Sequence, residues 1–528
     1  MQALTFRQKF RRSPLHPLLF GCLTGVIAGG LISLFILCTR VVSQAARDLY
    51  AHLTTLSLWL AVPALFLILT IGCLFLSTLQ KLLPACRGSG IPLAEGAARG
   101  VLPVRWLDTL AALFAGSLLS FLCGLPVGGE GPSIGIGGMA GEGVGRIFRL
   151  PPLYRRYLIT GGSCAGLAVA FNAPLSGLAF AFEETHRRFT PQILIAAFSS
   201  VICANLLSRL ILGNFVLFPA YAYTEIPLVW LPAALVCGAA CGGLGIAFNH
   251  TVRFLSARFG AVKSPFLRLL PVFLLAGAFG LILPESIGSG EHLLDGLGLS
   301  ASVLLLVLLL VVRFIGVTLA AGSGVTGGLF LPMLSVGGIA GLLFSKLLVA
   351  CGAAQTVALS FVMLGISCTF AASVRAPLTA ILLCLELTGG IGSLLPAVAA
   401  VAVASALADL TGCKPLYEEM LDRMIERENV YAHVREFRVT GTVRETSIVC
   451  NKQIRNVLWP HNALVVTLTR GERTIVPDGE TVLVAGDRIE LKAEADSRAL
   501  LLEQLDEMFD PDPPNPDQIS CQSERKEL

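Results

Sequence analysis

Charge is scarce in this chain. Only 14% of its 528 residues are Asp, Glu, Lys or Arg, and the formal net charge is +4. Soluble domains carry about 25% charged residues, and nucleic-acid binders carry a strong basic excess. Both classes are excluded for the bulk of the chain, and no nucleic acid is expected as a partner. Aromatics are also few, at 8%. The seven histidines, His461 among them, are dispersed and lack metal-ligand spacing. Fifteen cysteines are present, many inside apolar runs (Cys22, Cys38, Cys73, Cys203, Cys237, Cys384), but no CxxC pair occurs. They read as small buried hydrophobes rather than a metal or redox framework. With no Walker loop and no nucleophile–base pair, the chain does not read as an enzyme. No metal or cofactor is expected.

What is abundant is apolar surface and glycine: 54% hydrophobic residues and 54 glycines. That composition is an integral membrane protein. Residues 1–16 carry Arg7, Lys9, Arg11 and Arg12, and an apolar run follows from 17 to 39. The run exceeds a signal-peptide core and lacks a small-residue cleavage site, so it reads as a retained first helix with a cytoplasmic N-terminus. Apolar stretches recur at about 52–80, 106–126, 155–182, 191–213, 228–249, 266–284, 301–321, 324–350, 356–387 and 392–411. Gly and Pro interrupt them, which points to tilted or re-entrant pieces rather than simple spans.

Three loops share a design: Gly88–Pro92 (GSGIP), Gly128–Pro132 (GGEGP) and Gly322–Pro332 (GSGVTGGLFLP). Each is glycine-rich and ends at a proline, tolerated in the first turn of a helix because its missing N–H is not needed there. Free N–H groups and a positive dipole at such starts bind anions without a side-chain cation. Irregular backbone at membrane depth survives only where it lines a cavity or is buried in protein. Three such starts in one chain suggest an anion pathway.

An internal repeat supports two halves. Asn172-Ala-Pro-Leu-Ser-Gly through Glu183-Glu-Thr185 resembles Arg375-Ala-Pro-Leu-Thr-Ala through Glu386-Leu-Thr388, with a shift of 203 residues at both ends. Gly128, Pro132, Gly137, Gly138, Ala140 and Gly141 match Gly328, Pro332, Gly337, Gly338, Ala340 and Gly341 at a shift of 200. In that register Glu130 is opposite Phe330. Repeats in transporters place the substrate at the interface of the halves. After Asp409, residues 411–427 read as one charged amphipathic helix leaving the membrane. Residues 437–493 alternate as short strands with turns at Gly479 and Gly486-Asp487, and Asn451–Trp459 reads as a short helix. The Pro-rich end, 510–528, reads as disordered.

GSGIP at 88–92, GxEGP at 128–132 and GSGxxGGxFxP at 322–332 resemble the signature loops of the CLC family of chloride channels and chloride/proton antiporters. KPLYEEML at 414–421 is similar to that family's final-helix tyrosine motif. The resemblance covers about residues 17–425. VVTLTRG and IVPDGETVLVAGDRIEL resemble the TrkA-C module. The expected fold is an all-α membrane protein with an inverted-repeat CLC architecture of broken, re-entrant helices, plus a small α+β cytoplasmic domain. The expected boundaries are 1–16 as the cytoplasmic N-terminus, 17–425 as the membrane domain (repeats about 17–213 and 228–425), 426–436 as a linker, 437–500 as the TrkA-C-like domain and 501–528 as a tail. The resemblance to prokaryotic members implies a multi-pass protein of a bacterial inner membrane with cytoplasmic termini. It implies a homodimer exchanging chloride, the substrate, for protons; a passive voltage- or pH-gated chloride channel is the alternative. A small cytosolic ligand at 437–500 is a further expectation.

The resemblance assigns roles residue by residue. Ser89, by itself a candidate helix cap, would donate its hydroxyl to a central chloride. Tyr417, by itself an interfacial anchor, would do the same. Leu329 and Phe330 would contribute backbone N–H groups, and Gly88, Gly90, Gly129, Gly131 and Gly328 form the loop backbone. Glu130 would be the external gate: ionised it takes an anion's place, protonated it swings away. An acid in an apolar stretch is functional by default. Glu184 would be the internal proton acceptor, a position that is acidic in the antiporter branch. Glu386, at the repeat position of Glu183, reads as structural. Gly129 departs from relatives that carry Arg or Lys there, which weakens the attraction of anions from outside. Thr326 stands where Pro is frequent, a change from which little is expected. Arg105 reads equally as an internal cation shaping the anion field or as a plain flanking charge.

Overall fold

A computed structural model of the chain describes residues 15–55, 57–186, 190–218, 221, 225–388, 394–427, 435–445, 447–460, 463–495, 501–502, 505 and 508–511. The basic N-terminal flank, Arg187, Arg188, most of the expected linker, His461 and residues 512–528 of the Pro-rich end lie outside the described residues; Asp510 and Pro511, expected to be disordered, instead pair with Thr442 and Gly441 as a short strand.

Among the described residues, eight helices are long and apolar enough to cross a membrane. The protein is a multi-pass membrane protein. The first half runs α1 (Leu15–Thr55), α2 (Leu58–Leu82), α3 (Gly90–Arg99), α4 (Trp106–Leu122), α5 (Glu130–Ile147), α6 (Pro152–Phe171), α7 (Pro174–Phe180) and α8 (Pro191–Leu212). The second runs α9 (Leu231–Gly260), α10 (Pro265–Ile282), α11 (Glu291–Gly296), α12 (Val303–Ser323), α13 (Phe330–Ala350), α14 (Gln355–Val374), α15 (Pro377–Thr388), α16 (Leu394–Leu410) and α17 (Leu416–Arg427).

Several apolar runs are not single helices. The run at 155–182 breaks between α6 and α7, and that at 356–387 between α14 and α15. Both breaks fall at the repeated Ala-Pro-Leu. Proline has no N–H to give and biases the residue before it away from the helix. Asn172 and Arg375 close the preceding helices in left-handed conformation, at φ 51° and 68°. Arg375 is held there by Asp409 and by the Cys413 carbonyl at 2.9 Å. The segment 411–427 is likewise not one helix: Gly412 takes φ 62°, and α17 starts only at Leu416. In contrast α1 runs 41 residues, well past the apolar run that ends at 39. Its polar extension carries Gln44–Asp48 and Arg47–Gln44 hydrogen bonds one helical turn apart (2.8 and 2.6 Å).

Glycine sets the helix packing. Gly21, Gly25 and Gly29 line one stripe of α1, and a Cβ on Gly25 would come 2.3 Å from the Ser200 carbonyl of α8. Lipid gives helices no hydrophobic reason to associate, so close backbone approach through small residues drives packing. Gly137 of α5 meets Gly162 of α6, and at the repeat-equivalent place Gly337 of α13 meets Gly365 of α14. The two halves are therefore built the same way.

The C-terminal unit is a five-stranded antiparallel sheet in the order β3-β2-β4-β1-β5: β1 (Arg435–Thr442), β2 (Leu464–Arg470), β3 (Arg473–Ile475), β4 (Arg488–Ala495), β5 (Asp510–Pro511). Asn451–Trp459 is not a helix. It holds one 3₁₀ turn, Ile454–Asn456, because its backbone bonds outward: Asn451 N to Leu483 O, and Ile454 N to Thr481 O. The buried Asp487 anchors its turn by accepting from Arg470 Nε and Nη2 (2.7 and 2.8 Å) and from Val484 N. The sheet's apolar core is continuous with Leu153, Tyr154, Tyr157, Ile193 and Ala196 at one end of α6 and α8.

Candidate anion site on the repeat axis

Gly128 and Gly328 hydrogen-bond to each other in both directions, N to O at 2.7 Å each way. These are equivalent residues of the repeat. A residue that pairs with its own counterpart sits on the two-fold relating the halves. Two residues further on, α5 begins at Glu130 and α13 at Phe330, so two helix N-termini abut on the axis. A third joins them from α3. A Cβ on Gly90 would lie 2.4 Å from the Gly131 carbonyl, and one on Gly131 would lie 2.5 Å from Ser89 Oγ and 2.8 Å from Gly328 Cα. Only glycine allows this convergence. The loops are also tied by Gly88 N to Gly324 O (3.2 Å) and Gly327 N to Gly88 O (3.3 Å). Thr326 does more than expected. Its buried hydroxyl donates to the Cys86 carbonyl at 2.5 Å and accepts from Gln80 Nε2 at 3.4 Å, joining the third loop to the first.

Glu130 crosses the axis. It is buried, and its Oε2 accepts from Leu331 N, 3.4 Å away, at the α13 N-terminus. Leu329 caps that helix and Phe330 opens it, but the N–H facing the acid belongs to Leu331, which sequence reasoning missed. The register could have pointed to it, since Leu331 is equivalent to Gly131. The Phe330 ring is wedged among Phe171, Phe180 and Phe370, with centroids 5.1, 6.3 and 4.5 Å away. Gly129 caps α5 beside Phe35 and Phe121. Ser89 caps α3, accepting from Ile91 N at 3.4 Å, which leaves its hydroxyl proton available to donate.

Tyr417 is fully buried, and its hydroxyl has no hydrogen-bond partner among the described residues. Its helix is firmly held. Asn249 donates to Ser373 O (2.8 Å) and Lys414 O (3.1 Å), and Glu419 accepts from Arg253 and Arg423, each at 2.7 Å. Glu184 is buried on a π-helical turn, Ala181–His186, that continues α7, a deformation common at functional places. Arg99, paired with Glu95, donates to the Glu184 carbonyl at 3.1 Å.

Glu183 points elsewhere. It accepts from Leu378 N, Thr379 N and Thr379 Oγ1 (2.8, 2.7 and 2.7 Å) at the start of α15. Glu386 returns the arrangement, accepting from Leu175 N, Ser176 N and Ser176 Oγ (2.9, 2.7 and 2.5 Å) at the start of α7. Each half thus caps the other's helix with the equivalent acid. Arg105 is not part of the site: its side chain is 82% exposed and pairs with Asp108 at 3.1 Å. On the other side of Glu130 a cavity of about 980 Å³ opens, with Arg40, Arg47, Glu285 and Glu291 on its walls. Arg313, unnoticed in the sequence, braces its rim. The buried guanidinium donates to the carbonyls of Ser286, Gly288 and Ser289 (3.0, 2.7 and 2.6 Å) and to Ser335 Oγ.

The family described as "Voltage gated chloride channel" matches residues 72–409. The chain belongs to this family, the CLC proteins. The TrkA-C domain family matches residues 440–506. The chain is 34% identical over 441 residues to the H(+)/Cl(-) exchange transporter ClcA of Vibrio vulnificus, covering 79% of this chain and 92% of that one. It is 35% identical over 360 residues to ClcA of Citrobacter koseri, covering 66% and 76%. Among solved structures, a slow cyanobacterial Cl-/H+ antiporter superposes with a TM-score of 0.74 at 28% identity, over 81% of this chain and 100% of that one. These relatives are transporters, not enzymes.

Proposed function

We propose that this CLC protein exchanges chloride for protons, with Glu130 as the gate. The observation that carries the reading is the seat of the Glu130 carboxylate: it reaches the α13 N-terminus, where three helix starts converge. An ionised carboxylate and a chloride want the same N–H groups, so they compete for one place. A stripped anion needs several donors, each stronger in a low dielectric. Ser89 Oγ, Tyr417 Oη and the amides of Leu329, Phe330 and Leu331 are that set. When chloride takes the amides, Glu130 accepts a proton and swings into the cavity bearing Arg40 and Arg47. Glu184, buried on the π-helical turn, passes protons to and from the opposite face. One acid that is both competitor and proton carrier couples the two fluxes without a cofactor. We place the protein as a homodimer in a bacterial inner membrane, a pathway in each subunit and both termini cytoplasmic. The basic flank Arg7–Arg12 and the resemblance support that orientation.

Paired chloride and proton fluxes in liposomes test this. At fixed chloride gradient the reversal potential shifts with the pH gradient if the ions are exchanged. Strict Nernstian chloride behaviour would instead make the protein a passive channel. Glu130→Ala is expected to keep chloride flux and lose proton movement; proton pumping by this variant refutes the gate assignment.

A further inference from the structure

The sheet and the membrane helices do not close completely against each other. A cleft of about 160 Å³ remains, with Pro460 and Met508 of the sheet unit on one wall. That is room for roughly ten waters, too large for a single stray molecule. The opposite walls carry four arginines from three helices: Arg99 at the end of α3, Arg146 of α5, and Arg155 and Arg156 at the start of α6. Among the described residues, Glu142 and Glu95 are the carboxylates that meet them. Arg146 Nε and Arg155 Nη1 share one oxygen of the buried Glu142, at 2.7 and 3.1 Å. Arg99 pairs with Glu95. Arg156 has carbonyls as its recorded acceptors, Ala98 O at 2.8 Å and Trp459 O at 3.3 Å. Arg155 Nε is buried with no acceptor among the described residues. Among the described residues, four guanidinium groups thus meet in one half-closed cleft, and one of them keeps a buried donor to spare.

We propose that this cleft binds a small phosphate-bearing anion, and that the bound anion acts on the proton path through Arg99. Planar guanidinium forks match phosphate oxygens in pairs, and Arg155 has an unused donor ready for one. The anion would also join the two units, since Arg156 already bridges α3 and the Trp459 carbonyl. Arg99 stands at one end of α3 and touches the Glu184 carbonyl, while Ser89 caps the other end. Pulling Arg99 toward a ligand displaces the backbone that carries Glu184. The binding half of the proposal is independent of the chloride–proton reading; the effect on flux rests on it.

Calorimetry on the full-length, delipidated protein in neutral detergent, with inorganic pyrophosphate as the probe, tests the binding. A saturable heat is expected, weakened roughly tenfold or more by Arg155→Gln, as loss of a charge-assisted pair requires. Arg146→Gln, with its side chain half exposed, is a second variant that keeps the test alive if Arg155→Gln fails to fold. A parallel arm uses nanodiscs of phosphatidylcholine with and without phosphatidylglycerol. Arg155-dependent stabilisation by the anionic lipid alone assigns the phosphate to a headgroup, and heat from pyrophosphate assigns it to a soluble ligand. No response in either arm, or binding indifferent to both substitutions, overturns the site. Pyrophosphate that binds but leaves the proton flux of an active preparation unchanged at saturation overturns the link through Arg99.

Discussion

The reciprocal caps of Glu183 and Glu386 give a quantitative prediction. Glu386→Ala removes three acceptor contacts from the start of α7: two backbone N–H groups and the Ser176 hydroxyl. Bonds to a charged group contribute about 1.5–3 kcal/mol each in protected surroundings and nearer 1 where water can replace them. Ser176 is buried but Leu175 is exposed, so an intermediate total of about 3–4 kcal/mol is expected. Glu386→Gln keeps one accepting oxygen and turns the other into a donor, so about half of that loss follows. By symmetry Glu183→Ala at α15 costs the same. The double alanine variant costs less than the sum, because both caps hold the same α7–α15 pair and the second has less left to hold. Unfolding of purified protein by increasing SDS mole fraction measures these differences, with the glutamine variants serving if alanine prevents folding. Alanine variants as stable as wild type, or glutamine no milder than alanine, refute the reasoning. The pair also separates neighbours: Glu183→Gln keeps proton-coupled flux, whereas Glu184→Gln loses the proton component.

The repeat explains why so much of this was legible in the sequence. The shift that aligns Gly128 with Gly328 is a statement about space, since the two glycines turn out to pair on the axis. The Ala-Pro-Leu match likewise marked where both long runs break. Glu183 against Glu386 marked two acids that exchange places, although the sequence alone gave no hint that each caps the other's half. What hydropathy could not show was any contact made across distance. Arg313 lies in the middle of an apolar helix, and three of its acceptors are the carbonyls of Ser286, Gly288 and Ser289, which carry no side-chain signal at all. Leu331 was overlooked for the same reason: an amide N–H is present in every residue, and only the fold aims it. Hydropathy cannot place the end of α1 either, because the helix continues to Thr55, past the apolar run that ends at 39.

Other substitutions follow from the same geometry. Gly25→Val drives a side chain into the Ser200 carbonyl and should cost about 1–3 kcal/mol in the SDS titration, while Gly30→Val, which meets only a leucine methyl at 3.7 Å, should cost little. Arg313→Met removes the donor to three carbonyls, that of buried Ser286 among them, and should lower the melting temperature; Arg313→Lys should rescue it poorly, since one ammonium cannot span the fork's acceptors. In the sheet unit, burial pushes the Lys452 ammonium down to about 8. An unfolded lysine titrates at about 10.4, so between these values the unfolded chain holds a proton that the folded chain has released. Stability therefore rises with pH across that window, and the cost of burying the charge is fully present below it. Lys452→Met should stabilise the full-length protein by up to about 3 kcal/mol at neutral pH. The advantage should shrink as pH climbs from about 8 to about 10.4, because wild type sheds the charge first in the folded and then in the unfolded state. Comparing melting midpoints of the two proteins at each pH cancels every other titrating group, and a gap that stays constant from pH 7 to pH 10 would show that Lys452 is not buried as a charge.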